Sequence, residues 1–230
     1  METNFSNFLE ELTEKAAARA SLFHNSFPEC EKLITSQFQL LAELLTNFRN
    51  TAESDLDKSV LIQGYRCFNC SWTAYQNIKS GFLSEGASVA ITGLDSALYM
   101  EYFISKPHLA TRWLDGNDYP VQSFYKILSN AKANQEIFLL LKECTDYGLN
   151  HTPRQLIEDN TTPSFKLGGN DDIKKQFLLV KLIAQVLNKA LNLLMNICNN
   201  QTVAQCQDFK GRLETQKNLL ANIQAQKATN

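Results

Sequence analysis

One segment constrains every other part of this chain. From Ile173 to about Asn199 two apolar rows interleave: Ile173, Phe177, Val180, Ala184, Leu187, Leu191, Leu194 and Cys198, then Leu179, Ile183, Val186, Ala190, Leu193 and Ile197. Both rows step by four and three, which is the helical period. The segment therefore reads as one long helix, capped at its start by Asp171 or Asn170. Its polar side is narrow, limited to Lys174, Lys181, Gln185, Asn188 and Asn192. A helix this apolar must bury itself against at least two neighbours, so the fold has to be built around it.

The distribution of proline supplies the neighbours. The five prolines are Pro28, Pro107, Pro120, Pro153 and Pro163, which leaves the long tracts between and after them free to be helical. No stretch alternates with the period of two that a strand requires. The reading is an all-α, irregular multi-helix bundle in a single domain spanning residues 1–230. Helices are expected over Asn4–Phe23, Glu29–Phe48, Ser54–Lys79, Ser84–Ser105, Pro107–Leu114, Val121–Ala131 and Asn134–Tyr147. The third carries the stripe Leu61, Tyr65, Phe68, Trp72 and Tyr75. Gly148 to Asp172 is rich in turn formers and reads as a long loop. After it, the central helix turns at Asn199-Asn200 into a last helix over Val203–Ile223, a C-terminal helical hairpin.

Composition narrows the function classes. The chain has 230 residues, 44% hydrophobic and 20% charged, with a formal net charge of −2. A near-neutral balance gives no general attraction to DNA or to anionic membranes. The N-terminus METNFSNFLEELTEK lacks the basic and apolar regions of an export signal, so a cytoplasmic location is expected. In a reducing compartment the six cysteines read as small buried hydrophobes. Cys67-Phe68-Asn69-Cys70 has no second cysteine or histidine pair to complete a metal site, so no metal and no cofactor are expected. Residues 1–50, a helix pair with Phe5, Phe8, Phe38, Leu41, Leu45 and Phe48, carry more apolar side chains than a peripheral pair needs. They are expected to serve as an oligomerisation arm in a homodimer.

Two polar constellations stand out. Asp95 lies among Leu94, Ala97 and Leu98 on the fourth helix, where a carboxylate needs a partner. His151, in the loop Asn150–Arg154, is its expected partner. The pair reads first as a structural tie, and second as a binding site with Arg112, Trp113 and Arg154. Gly168-Gly169-Asn170-Asp171-Asp172 lacks the pattern of a phosphate or calcium loop and reads as a turn and helix cap. Lys174, Lys175, Lys181 and Lys189 read as a solvated helix face.

Gly81–Ala87, Ile91-Thr92-Gly93-Leu94-Asp95, Pro107–Leu114, Tyr147–His151 and Gly168-Gly169 together resemble motifs of a large group of uncharacterised bacterial all-helical proteins, distantly HEPN-like. The likeness covers about residues 55–200. Where that group has an arginine and a glutamate within one helix, this chain has Ile91 and Asp95. An arginine paired with Asp95 must therefore come from elsewhere, with Arg66, Arg112 and Arg154 as candidates. Arg19-Ala20-Ser21-Leu22-Phe23-His24 also matches the loose Arg-x4–6-His pattern of HEPN-type ribonucleases. The resemblance implies metal-independent RNA cleavage, with His24 moving a proton and Arg19 steadying phosphate, or His151 and Arg154 in those roles. Against this, residues five apart on a helix point about 140° away from each other. The leading expectation is a non-enzymatic binding or interaction protein with a protein or RNA partner, associated with bacterial stress or defence; the ribonuclease is the alternative.

Overall fold

The computed structural model describes residues 2–116, 135–146, 172–198 and 203–225. Among them run eight helices and no strand: α1 (Glu2–Ser26), α2 (Pro28–Arg49), α3 (Asp55–Lys79), α4 (Leu83–Ser105), α5 (His108–Leu114), α6 (Gln135–Asp146), α7 (Ile173–Cys198) and α8 (Val203–Ala225). The all-α multi-helix bundle expected from the sequence is the architecture found. The helix expected over Val121–Ala131, the loop over 148–171 and the Asn199-Asn200 turn lie outside the described residues.

α7 is the axis of the bundle. It packs against α2, α3, α4, α6 and α8, and Gln176–Val180 and Leu182–Leu187 are buried without a break. Two buried glutamines tie it to its neighbours by backbone acceptors. Gln37 Nε2 on α2 donates to the Ala184 carbonyl at 3.1 Å, and Gln176 Nε2 donates to the Ile78 carbonyl of α3 at 3.0 Å. The N-cap of α7 is Asp172, one residue later than expected, whose carboxylate accepts from the Lys175 N–H at 3.1 Å.

α3 and α4 form the closest pair, and local chemistry explains why. α3 begins in a capping box in which Ser54 and Asp57 satisfy each other's backbone N–H. It ends at Ser80 with Gly81 at φ 87°. There the Gly81 and Phe82 N–H groups return to the Ile78 and Asn77 carbonyls at 3.1 and 2.9 Å. That left-handed stop reverses the chain directly into α4. α4 starts at Leu83 after Phe82, with no side-chain cap, rather than being opened by Ser84.

The buried row of α3 is Val60, Gly64, Cys67, Ser71, Ala74 and Ile78. Of the expected stripe Leu61, Tyr65, Phe68, Trp72 and Tyr75, only Tyr75 is buried; the other four sit beside the buried row at the margin, with Trp72 45% exposed. Small residues occupy the centre because the helices approach too closely for large ones. A Cβ on Gly86 would fall 2.5 Å from Ile78 Cγ1, and one on Gly93 would fall 3.0 Å from Ser71 Oγ.

The apolar residues of α2 turn inward. Phe38, Leu41, Leu45 and Phe48 are all at most 4% exposed within the bundle, so they do not form the outward docking surface read from the sequence. Phe38 packs edge-on against Phe68 and Trp72 at 5.4 and 5.1 Å. α1 is anchored at its C-terminal end, where the Phe23 ring meets Phe27 at 5.4 Å and Tyr75 at 6.3 Å.

Candidate functional site

Asp95 is half-buried on α4, as the sequence suggests. Burial raises its carboxyl above the ordinary range, and the charge of Arg66 on α3 only partly offsets this. Of the two candidate arginines among the described residues, Arg66 and Arg112, Arg66 is the one whose charge reaches it. Among the described residues Asp95 makes no hydrogen bond or ion pair, and the Arg66 charge acts on the neighbouring Cys70 thiol as well, where burial outweighs it. His151 and Arg154 lie outside the described residues. Arg112 is exposed on α5, and Trp113 is half-buried with its ring 5.4 Å from Phe103. Phe103 lies two turns beyond Asp95 on α4, about 12 Å along the helix axis, so Trp113 serves the α4–α5 packing.

His24 and Arg19 are on different sides of α1. Arg19 is half-buried, whereas His24 is exposed and its Nδ1 bonds the carboxylate of Glu31 on α2. The same carboxylate receives Lys79 Nζ and, at 3.3 Å, the Tyr75 hydroxyl, both from α3. Burial pushes the Glu31 carboxyl up, but hydrogen bonds from Lys79 and His24 together with their charges outweigh it and hold the group below its ordinary range. Burial and the adjacent Glu31 drive the Tyr75 hydroxyl well above its usual range. The arrangement fastens three helices at one end.

The described cysteines behave as packing residues. Cys30, Cys67, Cys70, Cys144 and Cys198 are free. Burial pushes the Cys67 thiol up to about 12 and the Cys30 thiol up to about 11, which leaves almost no thiolate at neutral pH. Among the described residues no three His, Cys, Asp or Glu side chains form a cluster that could hold a metal ion.

A concavity lined by described residues lies elsewhere. A cavity of about 260 Å³ opens between α4, α6 and α7. Its polar wall is Glu101 from α4 with Gln185, Asn188, Lys189 and Asn192 from α7, and Ile137 and Leu193 supply the apolar part. The α7 residues converge because 185, 188, 189 and 192 share one side of a helix. Lys189 Nζ meets the Glu101 carboxylate at 2.7 Å, with only 10% of the lysine side chain exposed. Lys189 is therefore not part of a solvated face, as its position in the sequence suggested. Gln185 Nε2 donates to Glu136 of α6 at 2.8 Å. Asn192 Nδ2 donates to the Asn188 backbone carbonyl at 2.6 Å and to its Oδ1 at 3.3 Å.

Gln185, Asn188 and Asn192 were legible as the polar side of an apolar helix, but Glu101 and its pairing with Lys189 were not. The available signal was the choice of carboxamides over charges on that side. No family model, no curated protein and no solved structure matches the chain.

Proposed function

We propose that this chain is a non-enzymatic binding protein that holds a small polar ligand between α4, α6 and α7. The observation that carries this reading is the chemistry of the pocket wall. Its one carboxylate is engaged by a nine-tenths buried lysine, and its remaining polar side chains are carboxamides. Carboxamides donate and accept hydrogen bonds but neither give nor take a proton at neutral pH. Such a wall recognises and orients; among the described residues it offers a substrate no nucleophile and no general base outside the lysine-bound Glu101. Convergent polar groups beside an apolar patch are also the ordinary composition of a small-molecule site.

The ribonuclease alternative draws no support from the N-terminal arginine and histidine. His24 engages Glu31, and the chain turns Arg19 to a different side of the same helix. The deciding experiment has two arms. Thermal melting of the full chain against a panel of small metabolites should show at least one saturable rise. Incubation with single-stranded and structured RNA should leave the RNA intact. RNA cleavage that disappears in His24→Ala would overturn the binding reading and establish the alternative.

A further inference from the structure

Two helices carry apolar surface that the core does not use. On α1, Phe8, Leu12, Ala16, Ala20 and Phe23 recur at helical spacing, with Leu9 at their edge. Among the described residues of α1 only Phe23, near its C-terminal end, joins the core. Phe8, Leu12 and Ala16 are half-buried, and Leu9 is 45% exposed. On α3, Ile62, Tyr65, Asn69 and Trp72 step by three, four and three along one outward side. Ile62 and Trp72 are 46% and 45% exposed there, and Tyr65 is half-buried between them. Large apolar side chains gathered on one exposed side, rather than scattered singly, mark an interaction surface.

The charges around the two surfaces are opposite in sign. Over Glu2–Glu14 the charged residues of α1 are Glu2, Glu10, Glu11 and Glu14, all acidic. Glu11 pairs with Lys15 one turn on, while the exposed Glu10 and Glu14 border the Leu9 edge. Between Asp57 and Lys79 the charged residues of α3 are Lys58 and Arg66, both basic and both exposed. An acidic, apolar helix therefore matches a basic, apolar one, and such complementarity selects a partner and fixes its register. One chain supplies both surfaces, so a second copy is a complementary partner, and a two-fold axis satisfies both contacts at once. The chain's own α1 does not fill this role, because Ile62 and Trp72 stay nearly half exposed with α1 in place.

We propose that α1 of one copy docks on the outward side of α3 of a second copy, and the reverse, to form a two-fold dimer. Phe8, Leu9 and Leu12 meet Ile62, Tyr65 and Trp72 of the other copy, and Glu10 and Glu14 face its Lys58 and Arg66. The oligomerisation role expected of residues 1–50 then belongs to α1, since the apolar side chains of α2 are spent inside the bundle. The contact shares no residue with the cavity between α4, α6 and α7, so it stands independently of the binding reading.

The test is sedimentation of the full chain at high micromolar concentration, where a species of twice the 26.0 kDa monomer mass is expected. Leu9→Glu and Ile62→Glu, both at exposed positions, should each give a monomer with an unchanged helical circular dichroism spectrum. Two charge-reversed chains make the assignment specific: Glu10→Lys with Glu14→Lys on α1, and Lys58→Glu with Arg66→Glu on α3. Each alone sets like charges against each other at both contacts and should be monomeric. Mixed in equal amounts they match at both contacts, and the dimer should return. A wild-type chain that sediments only as a monomer would overturn the proposal. So would a dimer that persists in Ile62→Glu or in the α3-reversed chain, which would place α1 against another surface, and so would a mixture that stays monomeric.

Discussion

The close approach of α3 and α4 can be tested by adding one methyl group at two glycines. Both Gly86 and Gly211 are helical, so Gly→Ala at either should gain roughly 0.5–1 kcal/mol from the lower backbone entropy of the unfolded chain. Their surroundings differ. At Gly211 on α8 nothing lies within 4 Å of the new Cβ. At Gly86 the methyl would sit 2.5 Å from Ile78 Cγ1 and 3.1 Å from the Ala74 carbonyl oxygen. Neither neighbour is the free end of a side chain, and Ile78 is fully buried with no space to yield. Overpacking of this kind costs about 1–3 kcal/mol, which exceeds the propensity gain. Gly211→Ala should therefore stabilise the chain by about 0.5–1 kcal/mol, and Gly86→Ala should destabilise it by about 1–2 kcal/mol. At about 2–4 °C per kcal/mol for a chain this size, the two melting temperatures should move apart by at least roughly 3 °C. Thermal and urea melts of both variants read the difference. A rise in both, equal in size, would refute the tight packing of α3 on α4.

Asp95→Asn should leave stability at pH 7 unchanged or slightly higher. The folded carboxyl is raised above its ordinary value, so ionising it is less favourable in the folded chain than in the unfolded one, and the benefit of Asn should vanish below about pH 4, where both carboxyl forms are neutral. A large loss of stability at pH 7 would show that the charge has a donor. Glu31→Gln should cost about 2 kcal/mol at pH 7, because it weakens the charged bonds from Lys79 and His24. Glu31 is depressed, so its contribution is present above the ordinary carboxylate range and is lost as the pH falls through the folded value; the variant should therefore lose less stability on acidification than the wild type. The Glu43–Arg212 pair, bidentate at 2.6 and 3.0 Å, fastens α8 to α2 in a half-exposed setting. Arg212→Ala should cost no more than about 1 kcal/mol, and the difference should shrink in 1 M salt, as equilibrium unfolding at two ionic strengths would show.

Helix positions were legible because period and punctuation act locally. Ser54, Pro28 and Gly81 each fix a boundary through backbone chemistry that needs no tertiary partner, and the observed starts and stops fall within a few residues of the expected ones. Which side of a helix is innermost was less legible. On α3 the aromatic row Leu61, Tyr65, Phe68 and Trp72 dominates any hydrophobicity reading, yet the helix is rotated so that Gly64, Cys67, Ser71 and Ala74 face inward. Size, not polarity, decides there, because α4 brings Gly86 and Gly93 to the contact. Phe38 turns inward because the aromatic margin of α3 receives it, edge-on against Phe68 and Trp72.

The pocket follows from the same central helix. α7 is buried nearly all round, and removing a lysine or a carboxamide from water is costly unless its hydrogen bonds are replaced. Gln185, Asn188, Lys189 and Asn192 therefore cannot be covered by an apolar neighbour in the way that Leu182 or Val186 is. They can be accommodated only where adjoining helices bring polar groups, and Glu101 of α4 and Glu136 of α6 do so. Bridging by long polar side chains holds α4 and α6 apart from α7 where small apolar side chains would let them close. A polar row on the most buried helix and a cavity beside it thus have one cause. Replacing that row by leucines should therefore close the cavity and stabilise the bundle, a rise in melting temperature that would be absent if the row were not what keeps the helices apart.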